Sequence, residues 1–304
     1  MTTGPFPRIG LFAKLEGKDI CETLNALIKF LENRKQHAIL FEAKTAALMD
    51  ISNKDLIFPK KLLGHYCDLA IVVGGDGSIL NAGRAVVDHK TPILGINCGH
   101  LGFMADLGPD QIHSHLGQIL DGVYVEDERC LLHVKIKREG KTVFTNKALN
   151  DVVLYNGNTA RLMEFEIFIN DQFVMHQRSD GIITTTPTGS TAYALSAGGP
   201  IVYPTVDAFT IVSLYPHTLT NRPIVIKDTS LIRFVLPNNK NIPHKMACDG
   251  QRHIALLPND EIYIKKHINT LRIIHPKGHN HFALLRNKLG WSTYVNNRSD
   301  HVQY

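Results

Sequence analysis

The segment that most constrains the fold is residues 68–73 (DLAIVV), which run directly into the sequence GGDGS. An apolar run this short and continuous predicts a strand covered on both faces, as in a parallel sheet. The residues that follow, 78–87, have the apolar spacing of a helix. A buried strand that passes through a glycine turn into a helix is typical of an α/β domain, whose ligands bind at the carboxyl ends of the strands.

The rest of the first 122 residues repeats this alternation and predicts a doubly wound α/β domain over residues 1–122. The strand before residue 97 ends in a second glycine cluster, GINCGHLGF. Both glycine clusters therefore fall at carboxyl ends of predicted strands. The further elements predicted here are strands at residues 8–14, 38–41 and 91–96, a helix at residues 19–33 with Asp19 as its N-cap, and a helix at residues 109–120.

After residue 122, short segments of period two replace the helices. Many short strands and few helices predict a β-rich, sandwich-like domain over residues 123–278. Residues 281–291 return to helical spacing, with Phe282, Leu285 and Leu289 on one side, and we expect residues 279–304 to pack against the first domain. The predicted strands of the second domain are residues 131–138, 148–155, 164–170, 173–176, 209–214, 223–226, 231–236, 261–265 and 271–275.

Composition narrows the functional classes. The net charge of +5 is small and scattered over 304 residues, so it fits an anionic ligand but does not indicate a nucleic-acid partner. No apolar run approaches the roughly 18 residues that a membrane span needs, and the N-terminus lacks the regions of a signal peptide. We therefore expect a cytoplasmic protein with no membrane and no nucleic-acid partner.

Cysteines and histidines give no sign of a metal centre. The five cysteines are odd in number and never in CxxC spacing, which indicates reduced thiols. The pairs His113/His115 and His279/His281 are two residues apart, unlike a zinc-binding pair on a helix. We therefore predict no metal site built from the protein's own histidines.

The GGDGS turn has the features of a phosphate site. Gly74, Gly75 and Gly77 let the backbone approach phosphate oxygens, Ser78 adds a hydroxyl, and the helix N-terminus adds partial positive charge. Asp76 would repel phosphate, so it indicates a proton acceptor for an attacking hydroxyl or a Mg²⁺ ligand. The alternative is an aspartate that only satisfies N–H groups of the turn. The chain has neither a GxxxxGK[ST] motif nor a GxGxxG motif after a strand, which disfavours P-loop ATPases and hydride-transferring Rossmann enzymes.

A second candidate region follows a β-branched strand at residues 182–186, which Pro187 must end. Residues 188–199 are dense in threonine, serine and glycine. We expect their N–H and hydroxyl groups to face an open space and to bind ribose and phosphate oxygens. A plain Ser/Thr/Gly surface loop has the same composition.

Asn150 and Asp151 are adjacent polar residues in the otherwise apolar segment ALNDVVLY. Their amide and carboxylate suit an adenine or ribose edge, and the alternative is a solvated strand edge. Gln251 lies in CDGQ, which by composition alone is a turn between strands.

Taken together and in order, the motifs GGDGS, GINCGHLGF, LNDVVL, SDGIITTTPTGSTAYALSAGGPI, HTLTNRPIVI, CDGQ and LLRNKLGW make this chain resemble the bacterial NAD kinases. The resemblance runs from about residue 8 to residue 291. It implies an α/β domain joined to a β-rich domain with NAD held between them. It also implies phosphorylation of the adenosine 2′-hydroxyl of NAD by ATP to give NADP, Mg²⁺ carried by ATP rather than by protein ligands, and a homotetramer or homodimer.

The resemblance further assigns roles to individual residues. Asp76 matches the proposed proton acceptor of the family. Ser78 stands where the family usually has threonine and keeps the hydroxyl, whereas Asp151 stands where the family usually has glutamate and has a shorter reach. The NAD contacts implied are Asp76, Gly77, Asn150, Asp151, Arg161, Arg178, Asp180, Thr191, Ala192, Tyr193, Ala194, Leu195, Ser196 and Gln251.

Two other functions share part of this pattern. A kinase of the wider GGDG superfamily, acting on a sugar phosphate or a lipid, would share Asp76 but has no evident use for residues 188–196. A non-catalytic dinucleotide sensor would keep that loop but has no reason to retain Asp76. The presence of both favours an NAD kinase.

Overall fold

A computed structural model describes residues 5–99, 102–105, 107–157, 162–238 and 244–291 of the chain. The chain divides into two compact units, one formed by the residues up to Asp127 together with those from Arg272 onward, and one formed by Glu128–Leu271. The strands are β1 (Arg8–Ala13), β2 (Ala38–Glu42), β3 (Ile57–Phe58), β4 (Leu69–Val73), β5 (Ile93–Ile96), β6 (Val125–Arg129), β7 (Leu132–Arg138), β8 (Lys141–Ala148), β9 (Asp151–Asn156), β10 (Met163–Ile169), β11 (Gln172–Ser179), β12 (Gly181–Thr185), β13 (Ala208–Leu214), β14 (Ile224–Lys227), β15 (Ile232–Val235), β16 (His244–Cys248), β17 (Arg252–Leu256), β18 (Glu261–Lys266) and β19 (Leu271–His275).

Helices are concentrated in the first unit. Residues 109–120, predicted as one helix, form a 3₁₀ turn (Pro109–Gln111), a π-helical turn (Ile112–Leu116) and a single α-helical turn. Other 3₁₀ turns are Lys54–Leu56, Val87–His89 and Thr188–Thr191. The α-helices are α1 (Lys18–Arg34), α2 (Ala43–Leu48), α3 (Lys60–Tyr66), α4 (Asp76–Val86), α5 (Gly117–Leu120), α6 (Tyr193–Ser196) and α7 (His281–Leu289).

The first unit is built on a seven-stranded sheet in the order β3-β2-β1-β4-β5-β19-β6. The strands from β3 to β19 pair in parallel, and β4 is completely buried, as its apolar sequence predicts. This confirms the α/β prediction. The last strand, β19, pairs with β5 in this sheet rather than joining the β-rich domain to which its sequence was assigned. A period-two pattern shows that a segment is a strand but cannot show which sheet it joins.

Two details of the helices differ from the predictions. Helix α1 has Gly17 as its N-cap, and Asp19 lies in its first turn instead. In α7 the buried residues are His281, Leu284 and Leu285, whereas Phe282 is 57% exposed. The prediction that this helix returns to the first domain is confirmed, since the His281 ring lies 6.4 Å from the ring of Phe103 in the same unit.

The second unit consists of two six-stranded antiparallel sheets, in the orders β11-β10-β15-β18-β7-β8 and β14-β13-β12-β9-β16-β17. Their apolar faces share one core, in which Phe165 and Phe234 of the first sheet meet Phe209 and Met246 of the second. The sandwich-like prediction is therefore confirmed. The segment predicted as one strand at residues 148–155 is interrupted, because Ala148 ends β8 and β9 begins at Asp151.

Among the described residues, no helix is long and apolar enough to cross a membrane. All five cysteines are free thiols. Burial raises the pKa of Cys67 to about 12 and that of Cys130 to about 11, so neither thiol is a ready nucleophile.

Candidate functional site

A cavity of about 550 Å³ lies in the first unit at the carboxyl ends of β1, β2 and β4. Its wall includes Gly75, Gly77 and Ser78 of the GGDGS turn and three lysines, Lys14, Lys44 and Lys60. Two carboxylates, Glu16 and Glu42, also line it, and that of Glu42 is engaged by N–H groups at the start of α2. Lysines and a helix N-terminus facing one space attract anionic groups. This cavity therefore has the chemistry of a polyphosphate site.

The glycines of the turn shape the floor of this cavity. Gly74 has a φ of +149°, and a methyl group there would lie 2.5 Å from Oγ of Ser78. A methyl group on Gly75 would meet no described atom within 4 Å, so the backbone at that point is open to an approaching phosphate. Helix α4 starts at the next residue, with Gly75 as its N-cap. The predicted placement of Gly74, Gly75, Gly77 and Ser78 at a strand end and helix start is what the structure shows.

Asp76 is half-buried, and both of its carboxylate oxygens accept backbone hydrogen bonds. Oδ2 accepts from the N–H of Phe103 at 2.8 Å, and Oδ1 accepts from the N–H of Met104 at 3.1 Å. These two N–H groups follow the second glycine cluster and do not belong to the GGDGS turn, so Asp76 has a structural role different from the one in the alternative interpretation, in which it satisfied N–H groups of its own turn. A carboxylate has about four acceptor positions, so two bonds leave capacity for a substrate hydroxyl or a cation. The same two bonds fix the orientation of the carboxylate.

A second cavity, of about 500 Å³, lies in the second unit, and its walls combine three segments that are far apart in the sequence. Asn150 and Asp151 come from the start of β9, Ala192 and Tyr193 come from α6 and the residue before it, and Asp249 comes from the turn between β16 and β17. Tyr193 is 49% exposed, which leaves its ring available to stack on a planar ligand.

Asp249 organises this cavity, a role that the sequence did not reveal. Its carboxylate accepts hydrogen bonds from the N–H groups of Leu149 (3.1 Å), Asn150 (2.8 Å) and Asp151 (3.3 Å). Its own backbone has a φ of +51°, which aspartate tolerates better than most residues. The predicted turn at CDGQ is confirmed, but its aspartate also fixes the residues that precede β9.

Asp151 is almost completely buried, with 5% of its surface exposed. Burial, together with the charge of Asp249, raises the pKa of Asp151 to about 7. At neutral pH this carboxyl group is therefore poised between its two protonation states and can donate or accept a hydrogen bond. A solvated strand edge, the alternative given by the sequence, does not fit a residue this buried.

The side chain of Asn150, like that of Asp151, has a buried polar atom in the wall of this cavity. Its Oδ1 is buried and has no hydrogen-bond partner among the described residues. Its backbone carbonyl accepts from the N–H of Thr186 at 2.9 Å and from Oγ1 of Thr185 at 3.0 Å. The backbone is thus fully engaged while the side-chain acceptor is available to a ligand donor such as an adenine amino group.

The expectation that the hydroxyls of the Thr/Ser/Gly loop face an open space is wrong for its first half. Thr188 Oγ1 accepts from Nη1 of Arg129 at 3.3 Å, and Ser190 Oγ donates to the carbonyl of Pro187 at 2.6 Å. Both side chains are buried. These hydroxyls are engaged inside the protein, so they shape the loop instead of facing the ligand.

The remaining residues that were expected to contact NAD lie in several different surroundings. Ala194 is 1% exposed and packs in a small apolar cluster with Val153 and Val212, so it is a core residue. Arg178 pairs across the β10–β11 ladder with Glu164 at 3.0 Å. Arg161 lies outside the described residues. Thr191, Leu195 and Ser196 are half-buried or exposed at the edge of α6, while Asp180 and Gln251 are exposed in turns and do not line the cavity.

Several cavity residues were missed by the sequence reasoning. Lys14 and Lys44 are separated from the GGDGS turn by tens of residues and come together only through the order of the parallel strands. Tyr155 and His253, which are joined by a 2.9 Å hydrogen bond, lie side by side in the wall of the second cavity. The only sign in the sequence that the lysines belong to a site was their position just after a strand. The sequence gave no sign that the tyrosine and the histidine belong to one.

Comparisons with known proteins match both units. Residues 9–124 match the family model described as the ATP-NAD kinase N-terminal domain, and residues 149–276 match the ATP-NAD kinase C-terminal domain. The chain is 45% identical over 295 residues to an NAD kinase of Pseudomonas putida (strain GB-1), covering 97% of this chain and 99% of that protein. It is 44% identical over 289 residues to an NAD kinase of Pseudomonas aeruginosa (strain LESB58), covering 95% and 97%.

Two solved structures share the fold. The crystal structure of yeast NADH kinase complexed with NADH has a TM-score of 0.86 at 24% identity and covers 99% of this chain and 91% of that chain. An NAD kinase from Archaeoglobus fulgidus in complex with ATP has a TM-score of 0.71 at 22% identity, covering 93% and 98%.

Proposed function

Since the chain belongs to the ATP-NAD kinase family, we propose how its own residues carry out the ATP-dependent phosphorylation of the adenosine 2′-hydroxyl of NAD to NADP. The observation that carries the proposal is Asp76, a carboxylate fixed by two backbone N–H groups at the start of α4, on a turn that borders a lysine-lined cavity.

Asp76 acts as the proton acceptor. The 2′-hydroxyl is a weak nucleophile, and a positioned carboxylate that takes or aligns its proton assists attack on the γ-phosphate by about 10²–10⁴-fold. The hydrogen bonds from Phe103 and Met104 hold the carboxylate in one orientation without help from a mobile side chain. No covalent intermediate on the protein is required, so most of the acceleration comes from positioning and electrostatics.

The lysine-lined cavity of the first unit binds the donor phosphates. Gly75 offers open backbone at the N-terminus of α4, and Lys14, Lys44 and Lys60 supply positive charge. Mg²⁺ carried by ATP fits this arrangement, because Mg²⁺ prefers oxygen ligands and the hydroxyl of Ser78 lines the same cavity. When bound with ATP it would neutralise charge that develops on the phosphate oxygens.

The cavity of the second unit binds the dinucleotide. Asn150 provides a side-chain acceptor, and Asp151 provides a carboxyl group whose pKa is about 7, and both suit adenine and ribose donors. Tyr193 provides a ring for stacking, and Gly77, Arg161, Arg178, Asp180, Thr191, Ser196 and Gln251 remain candidate contacts by resemblance. Ala194 contributes through packing, since it is buried.

The five free cysteines support a reducing compartment, and we propose the cytoplasm. We also propose a homotetramer or homodimer. The second unit exposes large apolar side chains, including Phe173 (59%), Tyr215 (81%), Leu219 (94%) and Ile268 (92%), which an oligomer would cover. Light scattering on the active protein should give a mass above that of the 33.9 kDa chain, and a fully active monomer would contradict this.

One assay tests the function. Purified full-length protein is incubated with NAD and Mg-ATP, and NADP is read with an NADP-specific dehydrogenase. NADP should accumulate, and a chelator should stop its formation. The same protein is given fructose 6-phosphate or a diacylglycerol in place of NAD. Phosphorylation of either compound with NAD left unchanged would assign the chain to another kinase of the GGDG superfamily.

A further inference from the structure

We propose that Asp127, His275 and His279 form a binding site for one divalent transition metal ion of the zinc type. Each of the three side chains offers a ligand atom, and these atoms lie within 4.8 Å of one another. None of the three lines either cavity described above. The site therefore has a role other than holding the nucleotides.

The sheet of the first unit brings two of the ligands together. Strands β6 and β19 are neighbours at its edge, and Arg272 of β19 pairs with Glu126 of β6 at 2.7 Å. Side chains alternate between the two faces of a strand, so Asp127 and His275 both lie on the face opposite that pair. Nε2 of His275 and Oδ2 of Asp127 are 4.0 Å apart.

A tight turn adds the third ligand. Strand β19 ends at His275, the N–H of His279 donates to the carbonyl of Pro276 at 3.2 Å, and Gly278 supplies a φ of +92° that lets the chain fold back. The His279 ring consequently stacks on the His275 ring, with centroids 3.8 Å apart and planes 22° apart. The two rings therefore lie side by side, and because an imidazole lone pair lies in the plane of its ring, metal binding requires the half-buried His279 ring to rotate about its Cβ–Cγ bond until one nitrogen of each ring faces a common point.

The donor set selects the class of metal. Two imidazole nitrogens and one carboxylate oxygen are the ligands of zinc and its neighbours in the first transition row, whereas Mg²⁺ and Ca²⁺ prefer oxygen alone. Zinc binds these atoms at about 2.0–2.2 Å, which places tetrahedral ligands roughly 3.3 Å apart. A separation of 4.0 Å closes to that value with side-chain movements of less than about 1 Å. His275 is completely buried, while Asp127 and His279 are half-buried, so water has access to complete the coordination.

A bound ion would connect edge strand β6 to the segment between β19 and α7. Any ligand that binds only the folded state stabilises that state, so the metal would raise the unfolding temperature. The sequence did not indicate the site, because its histidines are four residues apart across a strand end and a turn rather than on a helix.

The test uses full-length protein stripped with a chelator and desalted, with Zn²⁺ and the spectroscopic probe Co²⁺ added separately. We expect one equivalent of metal per chain to remain after gel filtration, visible Co²⁺ absorption bands typical of nitrogen and oxygen ligands, and a higher unfolding temperature with Zn²⁺. His279→Gln and Asp127→Asn should each weaken affinity by at least about tenfold, since even the loss of an outer-shell partner costs about 10–100-fold.

His279→Gln and Asp127→Asn alter half-buried residues and should remain folded without metal, which calorimetry of the metal-free variants checks and which separates loss of binding from loss of fold. His113→Gln is the matched control, because His113 is an exposed histidine of the same unit outside the cluster, and it should bind metal normally. Absence of stoichiometric binding, or affinity unchanged in His279→Gln, would overturn the proposal. A thiolate-to-cobalt charge-transfer band would overturn it as well, by assigning the metal to the free cysteines.

Discussion

A methyl group on Gly102 would lie 2.1 Å from Oδ1 of Asp76, which is far inside van der Waals contact. Gly102 belongs to GINCGHLGF and directly precedes the residues whose N–H groups hold Asp76. Gly102 of the second glycine cluster therefore leaves room for the carboxylate of Asp76, which belongs to the first cluster, GGDGS.

Gly102→Ala should consequently displace Asp76 and lower kcat on the order of 10²-fold, the usual effect of misplacing a catalytic group by about 1 Å. Overpacking should also destabilise the fold by about 1–3 kcal/mol. Gly99→Ala is the control in the same loop, because its methyl group would meet its nearest neighbour, Oδ1 of Asn97, only at 3.9 Å. Steady-state kinetics and thermal unfolding of both variants check this; equal activity in the two would refute the role of Gly102.

Asp151 should make stability depend on pH in a defined direction. Its pKa in the folded protein is about 7, above the ordinary value of 3.8, so the folded state holds a proton that the unfolded state releases. The stabilisation is fully present below about pH 4 and is lost as the pH rises through 7. The free energy of unfolding is measured with urea for the parent protein and for Asp151→Asn at pH 5 and at pH 8. Between these two pH values, the parent should lose stability relative to the variant, because asparagine does not titrate. A constant difference would contradict the raised pKa.

Tyr193→Ala should weaken NAD binding more than it slows turnover. Stacking of a base on an aromatic ring contributes about 1–3 kcal/mol, so KM for NAD should rise by about tenfold with a smaller change in kcat. Tyr203→Ala is the matched control, since Tyr203 is exposed to a similar extent (43% against 49%) but does not line the cavity. If KM for NAD stays the same in Tyr193→Ala, the loop is structural.

Lys60→Met should raise KM for ATP. Lys60 is half-buried in the wall of the first cavity, and its Nζ also donates to Oδ1 of Asn81. A hydrogen bond to a charged group contributes about 1.5–3 kcal/mol, which predicts a rise of roughly tenfold or more. The next residue provides the control, because Lys61 is exposed on the same helix and outside the cavity. An equal effect of Lys61→Met would mean that only net charge matters.

The sequence predicted those parts of the structure that depend on local pattern. The buried run of β4 and the glycines after it placed Asp76 correctly at a strand end, because apolar continuity and glycine turns are local signals. It could not place Asp249, whose three backbone hydrogen bonds join residues about 100 positions apart. The same limit explains β19, since strand pairing is decided by tertiary contacts. Hydroxyl-rich composition was misleading for Thr188 and Ser190, because a hydroxyl can bond within the protein as readily as to a ligand.

The central claim is that Asp76 takes the proton of the attacking hydroxyl, and Asp76→Asn tests it most directly. Asparagine keeps the size and one acceptor oxygen, so it can accept from only one of the N–H groups of Phe103 and Met104, and stability should fall by about 1–3 kcal/mol. The decisive measurement is the single-turnover rate of NADP formation, made at a temperature where calorimetry shows the variant folded and able to bind NAD. We predict a rate lower by about 10²-fold or more with NAD affinity unchanged. A folded variant that binds NAD and turns over at the parent rate would show that Asp76 only holds the segment of Phe103 and Met104 in place.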